Sequence, residues 1–192
     1  NIAATGFVVG QNVLGSADEA NLAAWLREGH ELGNHTWSHR SASALSAAAY
    51  ITDAERGRTK LDGLIKAQGG PGVRFFRFPF LEEGDTPAKL DSLRAYLART
   101  GQRNAPVTID DQDWSYEEPW VTARRAHDFA EQRRITAEYQ AALQLEVAHH
   151  EANGDQLLGR PTPQILLLHA NEVGAAQPAA RRRADPAPAP DV

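Results

Sequence analysis

The sequence predicts an α/β fold in which parallel strands alternate with helices. Four short apolar runs have the length and composition of strands: residues 3–9, 73–78, 105–109 and 165–168. Four other segments have helical spacing: residues 16–28, 45–68, 86–100 and 121–152. Such alternation is typical of parallel sheets and β/α barrels, whose active sites lie at the carboxyl ends of the strands. We therefore expect functional residues directly after the apolar runs.

Local signals set the boundaries of the predicted elements. Ser16 is predicted to cap the first helix, with Glu19 completing a capping box, and Gly29 ends it. A Gly-Gly-Pro-Gly run at residues 69–72 ends the second helix. The expected core consists of apolar side chains at helical spacing: Leu22, Trp25, Leu26, Tyr50, Leu61, Leu64, Ile65, Leu90, Leu93 and Leu97.

Composition excludes several classes of protein. A net charge of -5 gives no basic surface, so no nucleic-acid partner is expected. No apolar run reaches the length of about 18 residues that a membrane span needs. The absence of cysteine excludes disulfides and leaves the redox compartment open. We predict one monomeric domain over residues 1–172 and a disordered Ala/Pro/Arg-rich tail over residues 173–192.

Two histidines stand four residues apart in the segment HTWSH, at His35 and His39. On one helical turn, that spacing brings both rings within reach of a single metal ion. Two histidines leave room for an oxygen ligand and an open water position, as catalytic zinc requires. The structural alternative is a pair of surface or capping histidines. No HExxH motif is present, so a zincin protease is not supported.

Charged or titratable residues follow the later apolar runs. Arg77 is interpreted as a guanidinium that keeps a carboxylate ionised. Of Asp110 and Asp113, one is expected to orient an imidazole, with Trp114 as the wall of a small pocket. His169 is a candidate general acid. The structural alternatives are a surface arginine, a polar loop with a half-buried tryptophan, and a core histidine. Three other histidines are interpreted as surface residues: His127, His149 and His150.

Taken in order, the motifs resemble the NodB-homology polysaccharide deacetylases, carbohydrate esterase family four. GHELGNHTWSH is similar to the second family motif, FRFPFLEEGDT to the third, VTIDDQDW to the fourth and ILLLHANE to the fifth. ATGFVVG resembles the second strand of that family, so the likeness extends from Ile2 to Glu172. The resemblance implies a distorted (β/α)7 barrel of the NodB type, incomplete at both ends of this chain.

The resemblance also implies roles for individual residues. His35 and His39 would be ligands of one divalent metal ion, with zinc expected. Arg77 would steady the catalytic base. His169 would be the general acid that protonates the departing amine, with its pKa tuned by Asp113. The metal would lower the pKa of water toward about 7 and polarise the amide carbonyl.

Further residues are implied to bind the substrate. The backbone around Phe80 would help to bind the oxyanion. Trp114 and Leu167 would line the pocket for the acetyl methyl group. The expected partner is an acetylated polysaccharide or oligosaccharide, most directly one that contains N-acetylglucosamine, and the expected reaction is attack of metal-activated water on its amide carbonyl. Secretion or attachment to the cell envelope is implied by family analogy alone.

This sequence departs from the family pattern at both ends. The first motif, an Asp-Asp pair that supplies the base and the third metal ligand, is absent, and neither Asp53 nor Asp85 matches it. The chain contains no methionine, so Asn1 is not expected to be a translation start. We therefore expect the 192-residue chain alone to be inactive. Two alternative functions stay open: carbohydrate binding without catalysis, and hydrolysis of a non-sugar amide.

Overall fold

The computed structural model describes residues 3–176 and has parallel strands joined by helices. The chain divides into two compact units, Asn1–Pro106 and Val107–Val192. The predicted α/β class is confirmed. The predicted extent of the domain, residues 1–172, stays a prediction.

The first unit contains a four-stranded parallel sheet. Its strands lie in sequence order: β1 (Thr5–Val8), β2 (Glu31–Asn34), β3 (Phe75–Phe76) and β4 (Arg103–Asn104). Val8 of β1 lies opposite Asn34 of β2, and Asn34 lies opposite Phe76 of β3. The carboxyl ends of these three strands therefore reach the same edge of the sheet, where the loops that follow them begin.

Three helices connect these strands: α1 (Ser16–Arg27), α2 (Ala47–Ala67) and α3 (Pro87–Arg99). The predicted capping box at Ser16 and Glu19 is wrong, because the residue before the helix is Gly15. Asp18 instead stabilises the first turn, since its Oδ2 accepts hydrogen bonds from the N–H groups of Leu14 (2.8 Å) and Gly15 (3.2 Å).

The other helix boundaries of the first unit lie within two residues of their predicted positions. Ser46 caps α2, where its side chain accepts the Ala49 N–H at 3.2 Å. Thr86 caps α3 in the same way through the Lys89 N–H. Gly29 follows α1 with a φ of 88°, which a glycine adopts without steric cost.

The core of the first unit lies on the helix side of the sheet. One cluster joins α2 and α3 to β3 and the residues just after it, and its buried members are Ala42, Tyr50, Ala54, Phe76, Phe78, Leu93, Tyr96 and Leu97. A second cluster contains Leu32, Leu61, Ile65 and Val73, with Leu22, Trp25, Leu26 and Leu64 partly buried against it. The helix residues expected in the core are thus at least partly buried.

The Tyr50 hydroxyl is the buried side-chain atom without a hydrogen-bond partner among the described residues. Tyr50 is 1% exposed and packs against Phe76 and Phe78. Because an unsatisfied buried hydroxyl costs about 1–3 kcal/mol, Tyr50→Phe is expected to raise the free energy of unfolding by about 1 kcal/mol. Urea unfolding would measure the change. The matched control is Tyr96→Phe, which removes a hydroxyl that donates to Glu55 at 3.0 Å and is expected to destabilise the fold. A destabilised Tyr50→Phe protein would contradict the prediction.

The second unit pairs two short parallel strands, β5 (Ile109–Asp110) and β6 (Leu166–Leu167). Its helices are α4 (Trp114–Arg125), α5 (Phe129–Leu158) and α6 (Glu172–Ala175). Their buried contacts form one cluster: Trp120, Ala123, Ile135, Tyr139 and Val173. Among the residues that the structure describes, no helix is both long and apolar enough to cross a membrane.

The single helical region predicted over residues 121–152 is wrong in three respects. The helical structure begins earlier, at Trp114, it ends later, at Leu158, and it is interrupted between α4 and α5. His127 has a φ of 55°, which no helix accommodates, and Asp128 then caps α5 through the Glu131 N–H at 2.9 Å.

The predicted strands are longer than the observed ones. β2 and β4 were not predicted. Pro106 lies between β4 and β5 and has no N–H to donate to a sheet. The predicted burial of residues 165–168 is also wrong: Ile165, Leu166 and Leu168 are 40%, 38% and 55% exposed. A two-stranded sheet gives β6 one neighbouring strand, which leaves much of its apolar surface uncovered.

The predicted tail begins too early. Val173 is fully buried within α6, and its N–H donates to Glu117 Oε2 at 3.0 Å. Residues 172–175 are therefore ordered by contacts with α4. The rest of the predicted disordered tail, residues 177–192, lies outside the described residues.

Candidate functional site

The predicted metal ligands lie in a loop that directly follows β2, here called the histidine loop (residues 35–39). The prediction of a helical turn is wrong, because Thr36 and His39 have φ angles of 65° and 57° and no helix forms. The two rings nevertheless lie side by side, with centroids 4.8 Å apart and an interplanar angle of 71°. The loop thus brings the two imidazoles together without the helical turn that their four-residue spacing suggested.

Two polar side chains hold the histidine loop. Asn34 is fully buried, and its Oδ1 accepts the Thr36 N–H at 3.0 Å. Asp53 Oδ2 accepts the N–H groups of Trp37 (3.2 Å) and Ser38 (3.1 Å). Because backbone donors in a partly buried loop need partners, these carboxylate and amide groups stabilise its strained conformation.

Helix α2 approaches the histidine loop at Gly57. A Cβ atom at that position would lie 2.7 Å from Asn34 Oδ1 and 2.7 Å from the carbonyl carbon and oxygen of Thr36. No side chain fits there without displacing the main chain of the loop. The sequence does not indicate the roles of Asn34, Asp53 and Gly57 in holding this loop, because those roles depend on contacts between distant segments.

The His35 ring is oriented by a main-chain carbonyl. Its Nδ1 lies 2.7 Å from the Arg77 carbonyl oxygen, which can only accept a hydrogen bond. Nδ1 therefore carries the proton, and the lone pair of the neutral ring is on Nε2, the tautomer that suits a metal ligand. With His39 beside it, the donor set fits two positions of a divalent metal site. Among residues 3–176, no group of three or more His, Cys, Asp or Glu side chains is arranged to hold a metal.

Arg77 follows β3 and is 7% exposed. Its Nε donates to the Ala105 carbonyl at 3.2 Å, and its guanidinium lies 4.2 Å from the centroid of the Phe7 ring. Burial lowers the pKa of Arg77. Within the described part of the chain, no carboxylate forms an ion pair with this guanidinium, so it is a buried cation with capacity for an anionic partner.

Phe80 lies in the turn after Arg77, with a φ of 58°. Its ring is 62% exposed and packs edge-on against His39, with centroids 4.8 Å apart. The first unit therefore brings four of the predicted site residues close together, and they are His35, His39, Arg77 and Phe80.

In the second unit, Asp113 and His169 form a hydrogen-bonded pair. Asp113 is fully buried, and its Oδ1 accepts His169 Nδ1 at 2.6 Å. Its Oδ2 accepts the His169 N–H (2.8 Å) and Asn171 Nδ2 (2.9 Å). The His169 side chain is 48% exposed, so the ring has one edge on a buried carboxylate and the other toward the surface.

The pair shifts the pKa values of both partners. The hydrogen bond that His169 donates to Asp113 raises the pKa of His169 against the opposing effect of burial. Burial raises the pKa of Asp113, but the hydrogen bonds from His169 and Asn171 outweigh it, and the pKa lies below its usual value. An imidazole with a raised pKa holds its proton at neutral pH more often than a free histidine does.

The other predicted site residues of the second unit lie within three residues of Asp113 or His169 in the sequence. Trp114 is the first residue of α4 and is 59% exposed. Leu167 ends β6 and is half-buried. Asp110 is exposed at the end of β5. Arg77, Asp113 and His169 follow β3, β5 and β6, as predicted, whereas His35 follows β2, a strand that was not predicted.

The comparisons with known proteins agree with the fold and the motifs. The family model described as polysaccharide deacetylase matches residues 1–104. The chain is also similar to chitin deacetylase 1 of Cryptococcus neoformans var. grubii, with 28% identity over 178 residues that cover 86% of this chain and 36% of that protein. The chain belongs to the polysaccharide deacetylase family, and the predicted resemblance to its NodB-type domains is confirmed.

Solved structures show the same fold at low sequence identity. A polysaccharide deacetylase from Bacillus cereus matches with a TM-score of 0.59 and 22% identity, covering 90% of this chain and 70% of that one. A family 4 carbohydrate esterase from Streptomyces lividans, in complex with acetate, matches with a TM-score of 0.56 and 20% identity over the same shares, 90% and 70%. A pseudoenzyme of the same family from Bacillus anthracis matches with a TM-score of 0.58 and 16% identity, covering 89% and 46%.

This chain spans only part of some of these relatives. It covers about a third of the curated chitin deacetylase, 36%, and about half of the pseudoenzyme chain, 46%.

Proposed function

We propose that this chain forms part of a metal-dependent deacetylase that removes acetyl groups from an acetylated carbohydrate, most directly a polysaccharide containing N-acetylglucosamine. The observation that carries the proposal is the Asp113–His169 pair, with its 2.6 Å hydrogen bond, in a chain of the polysaccharide deacetylase family. A half-exposed imidazole backed by a buried carboxylate is the arrangement of a general acid or base.

His35 and His39 would hold the metal. The hydrogen bond from His35 Nδ1 to the Arg77 carbonyl supports this role, because it leaves the lone pair on Nε2. A divalent ion bound there, with zinc expected, supplies Lewis acidity that polarises an acyl carbonyl and acidifies water. A third ligand and the catalytic base would be carboxylates, and the buried Arg77 guanidinium is suited to keep such a carboxylate ionised.

His169 would protonate the amine that leaves the acetyl group. Asp113 holds His169 Nδ1–H, so the proton to be transferred is on Nε2, at the exposed edge of the ring. An amine expelled without a proton is a very poor leaving group, so this transfer is the main contribution of the pair. Main-chain N–H groups near Phe80 would stabilise the oxyanion, and Trp114 and Leu167 would contact the acetyl methyl group.

Replacing His39 by alanine is expected to weaken zinc binding by more than about 100-fold and to abolish acetate release. The measurements are the metal content and zinc affinity of the full-length gene product, with acetate release from N-acetylglucosamine oligomers. The matched control is His149→Ala, which removes an exposed histidine from α5 and is expected to change neither quantity. Zinc affinity unchanged in His39→Ala would overturn the ligand assignment.

The same experiment separates the alternative functions. Binding of acetylated oligosaccharides without acetate release by the zinc-loaded full-length product would favour a non-catalytic carbohydrate-binding protein. Acetate release from simple N-acetyl amides, but not from acetylated sugars or xylan, would favour a deacylase of non-sugar amides. The 192-residue chain alone is still expected to release little or no acetate.

A further inference from the structure

A second buried carboxylate lies behind the Asp113–His169 pair. Asp111 is 3% exposed and comes directly after β5. Its Oδ1 accepts the Asp113 N–H at 3.2 Å, and its Oδ2 accepts the Tyr139 hydroxyl at 2.7 Å. Asp111 therefore connects the main chain of the pair to helix α5.

Tyr139 lies on the packed part of α5. It is 3% exposed and belongs to the same apolar cluster as Ile135, and the Tyr116 ring of α4 packs against it with centroids 5.5 Å apart. Its hydroxyl thus reaches Asp111 from a fixed position. A hydroxyl that donates to a buried carboxylate stabilises the ionised form, which burial alone disfavours.

Several charged groups surround His169 in this unit. Asp113 is hydrogen-bonded to it, and the negative charges of Asp110 and Asp111 act on it from further away. Asp110 is exposed, so salt screens its effect, whereas Asp111 is buried and is screened much less. On α4 and α6, the charged groups near the strand ends are engaged elsewhere: Glu117 accepts the N–H groups of Glu172 and Val173, and Arg124 pairs with Glu172.

We propose that Asp111 and Tyr139 are positioning residues for His169: Tyr139 keeps Asp111 ionised, and Asp111 holds the main chain of Asp113 and places a second buried negative charge behind the imidazole. The inference rests on the proposed function for the role of His169 as an acid. Neither residue touches the substrate in this scheme; they act through the main chain of Asp113 and through the charge of Asp111 on His169.

The test is an NMR titration of the His169 ring in the 192-residue chain, with the resonance assigned by its loss in His169→Gln. Asp111→Asn removes the charge but keeps an oxygen for the Asp113 N–H, so the fold is expected to persist. The pKa of His169 is expected to fall by about half a unit, and the fall is expected to persist in about 0.5 M salt. Tyr139→Phe is expected to lower the pKa in the same direction by a smaller amount.

Two controls make the result specific. Tyr116→Phe removes the hydroxyl of the adjacent ring and is expected to leave the pKa of His169 unchanged. Asp110→Asn removes an exposed charge, so its effect is expected to disappear at high salt. A His169 pKa unchanged in folded Asp111→Asn and Tyr139→Phe proteins would overturn the proposal.

The titration does not depend on activity, so its failure is distinct from failure of the proposed function. In the full-length product, Asp111→Asn is expected to move the alkaline limb of the pH profile of acetate release downward by the same half unit or so. If the His169 pKa falls but acetate release is absent from every form of the protein, the positioning role stands and the deacetylase proposal fails.

Discussion

Replacing Gly57 by alanine is expected to lower the free energy of unfolding by at least about 3 kcal/mol and to disorder the histidine loop. The added methyl group would lie 2.7 Å from Asn34 Oδ1 and from the carbonyl group of Thr36, and main-chain atoms cannot move aside as a flexible side chain can. Since α2 and the loop are both part of the packed first unit, either the helix or the loop must shift.

Gly63 provides the matched control on the same helix. A Cβ at Gly63 would meet nothing within 4 Å, so Gly63→Ala is expected to raise stability by about 0.5–1 kcal/mol through helix propensity. Urea unfolding of the two variants measures the difference, and NMR shifts of His35 and His39 report the loop. Equal stabilities of the Gly57→Ala and Gly63→Ala proteins would contradict the close approach of helix and loop.

Asp113→Asn is expected to reduce acetate release by the full-length product by about 100- to 10,000-fold. The asparagine amide cannot accept hydrogen bonds on both of its ends, whereas Asp113 accepts three. If the oxygen keeps the His169 N–H and Asn171, the NH₂ group faces His169 Nδ1 and forces the ring proton onto Nε2. The asparagine no longer stabilises the protonated form of the ring, so the pKa of His169 is expected to be lower than in the unsubstituted protein.

The same substitution is expected to change stability in a defined pH window. The pKa of His169 is raised above the ordinary 6.5, so its contribution is complete below pH 6.5 and is lost as the pH rises through the folded-state value. The pKa of Asp113 is lowered below the ordinary 3.8, so its contribution is present above pH 3.8 and is lost as the pH falls through the folded-state value. Asp113→Asn should therefore lower the free energy of unfolding most at pH values between the folded-state pKa of Asp113 and that of His169.

Urea unfolding of the 192-residue chain at pH 5.5 and pH 9, about one unit below and well above the ordinary histidine pKa, tests this dependence. The loss of stability is expected to be larger at the lower pH. Asp110→Asn is the control, because Asp110 is exposed and does not bond to the ring. An equal loss at both values for Asp113→Asn would contradict the ion pair between Asp113 and His169.

The positions of Arg77, Asp113 and His169 could be predicted from the sequence because each follows an apolar run that forms a strand. The apolar runs that stop at Arg77 and near His169 mark the ends of β3 in the first unit and of β6 in the second. The conformation of the histidine loop could not be predicted in this way. A spacing of four residues fits a helical turn, yet the main chain follows the hydrogen bonds of Asn34 and Asp53, which are tertiary contacts.

Tertiary contacts that the sequence pattern does not reveal also explain the wrong predictions in the second unit. The Ala-rich sequence after Glu172 suggests a disordered tail, but Val173 is buried because α4 supplies both an apolar cluster and the Glu117 carboxylate. Residues 165–168 suggest a buried strand by composition alone, yet their exposure depends on how many strands lie beside them. Composition determines what a segment can bury, and only the packing partners determine what it does bury.

The orientation of the His35 ring depends on an acceptor that no point substitution can delete. Its partner is the main-chain carbonyl of Arg77, and every amino acid at position 77 supplies that oxygen. The side chain of Arg77 can therefore vary, during evolution or by design, without releasing the imidazole, provided that β2 and β3 keep their register. Within this fold, the orientation of the His35 ring depends on the register of the sheet, whereas the charge that Arg77 contributes can be gained or lost independently.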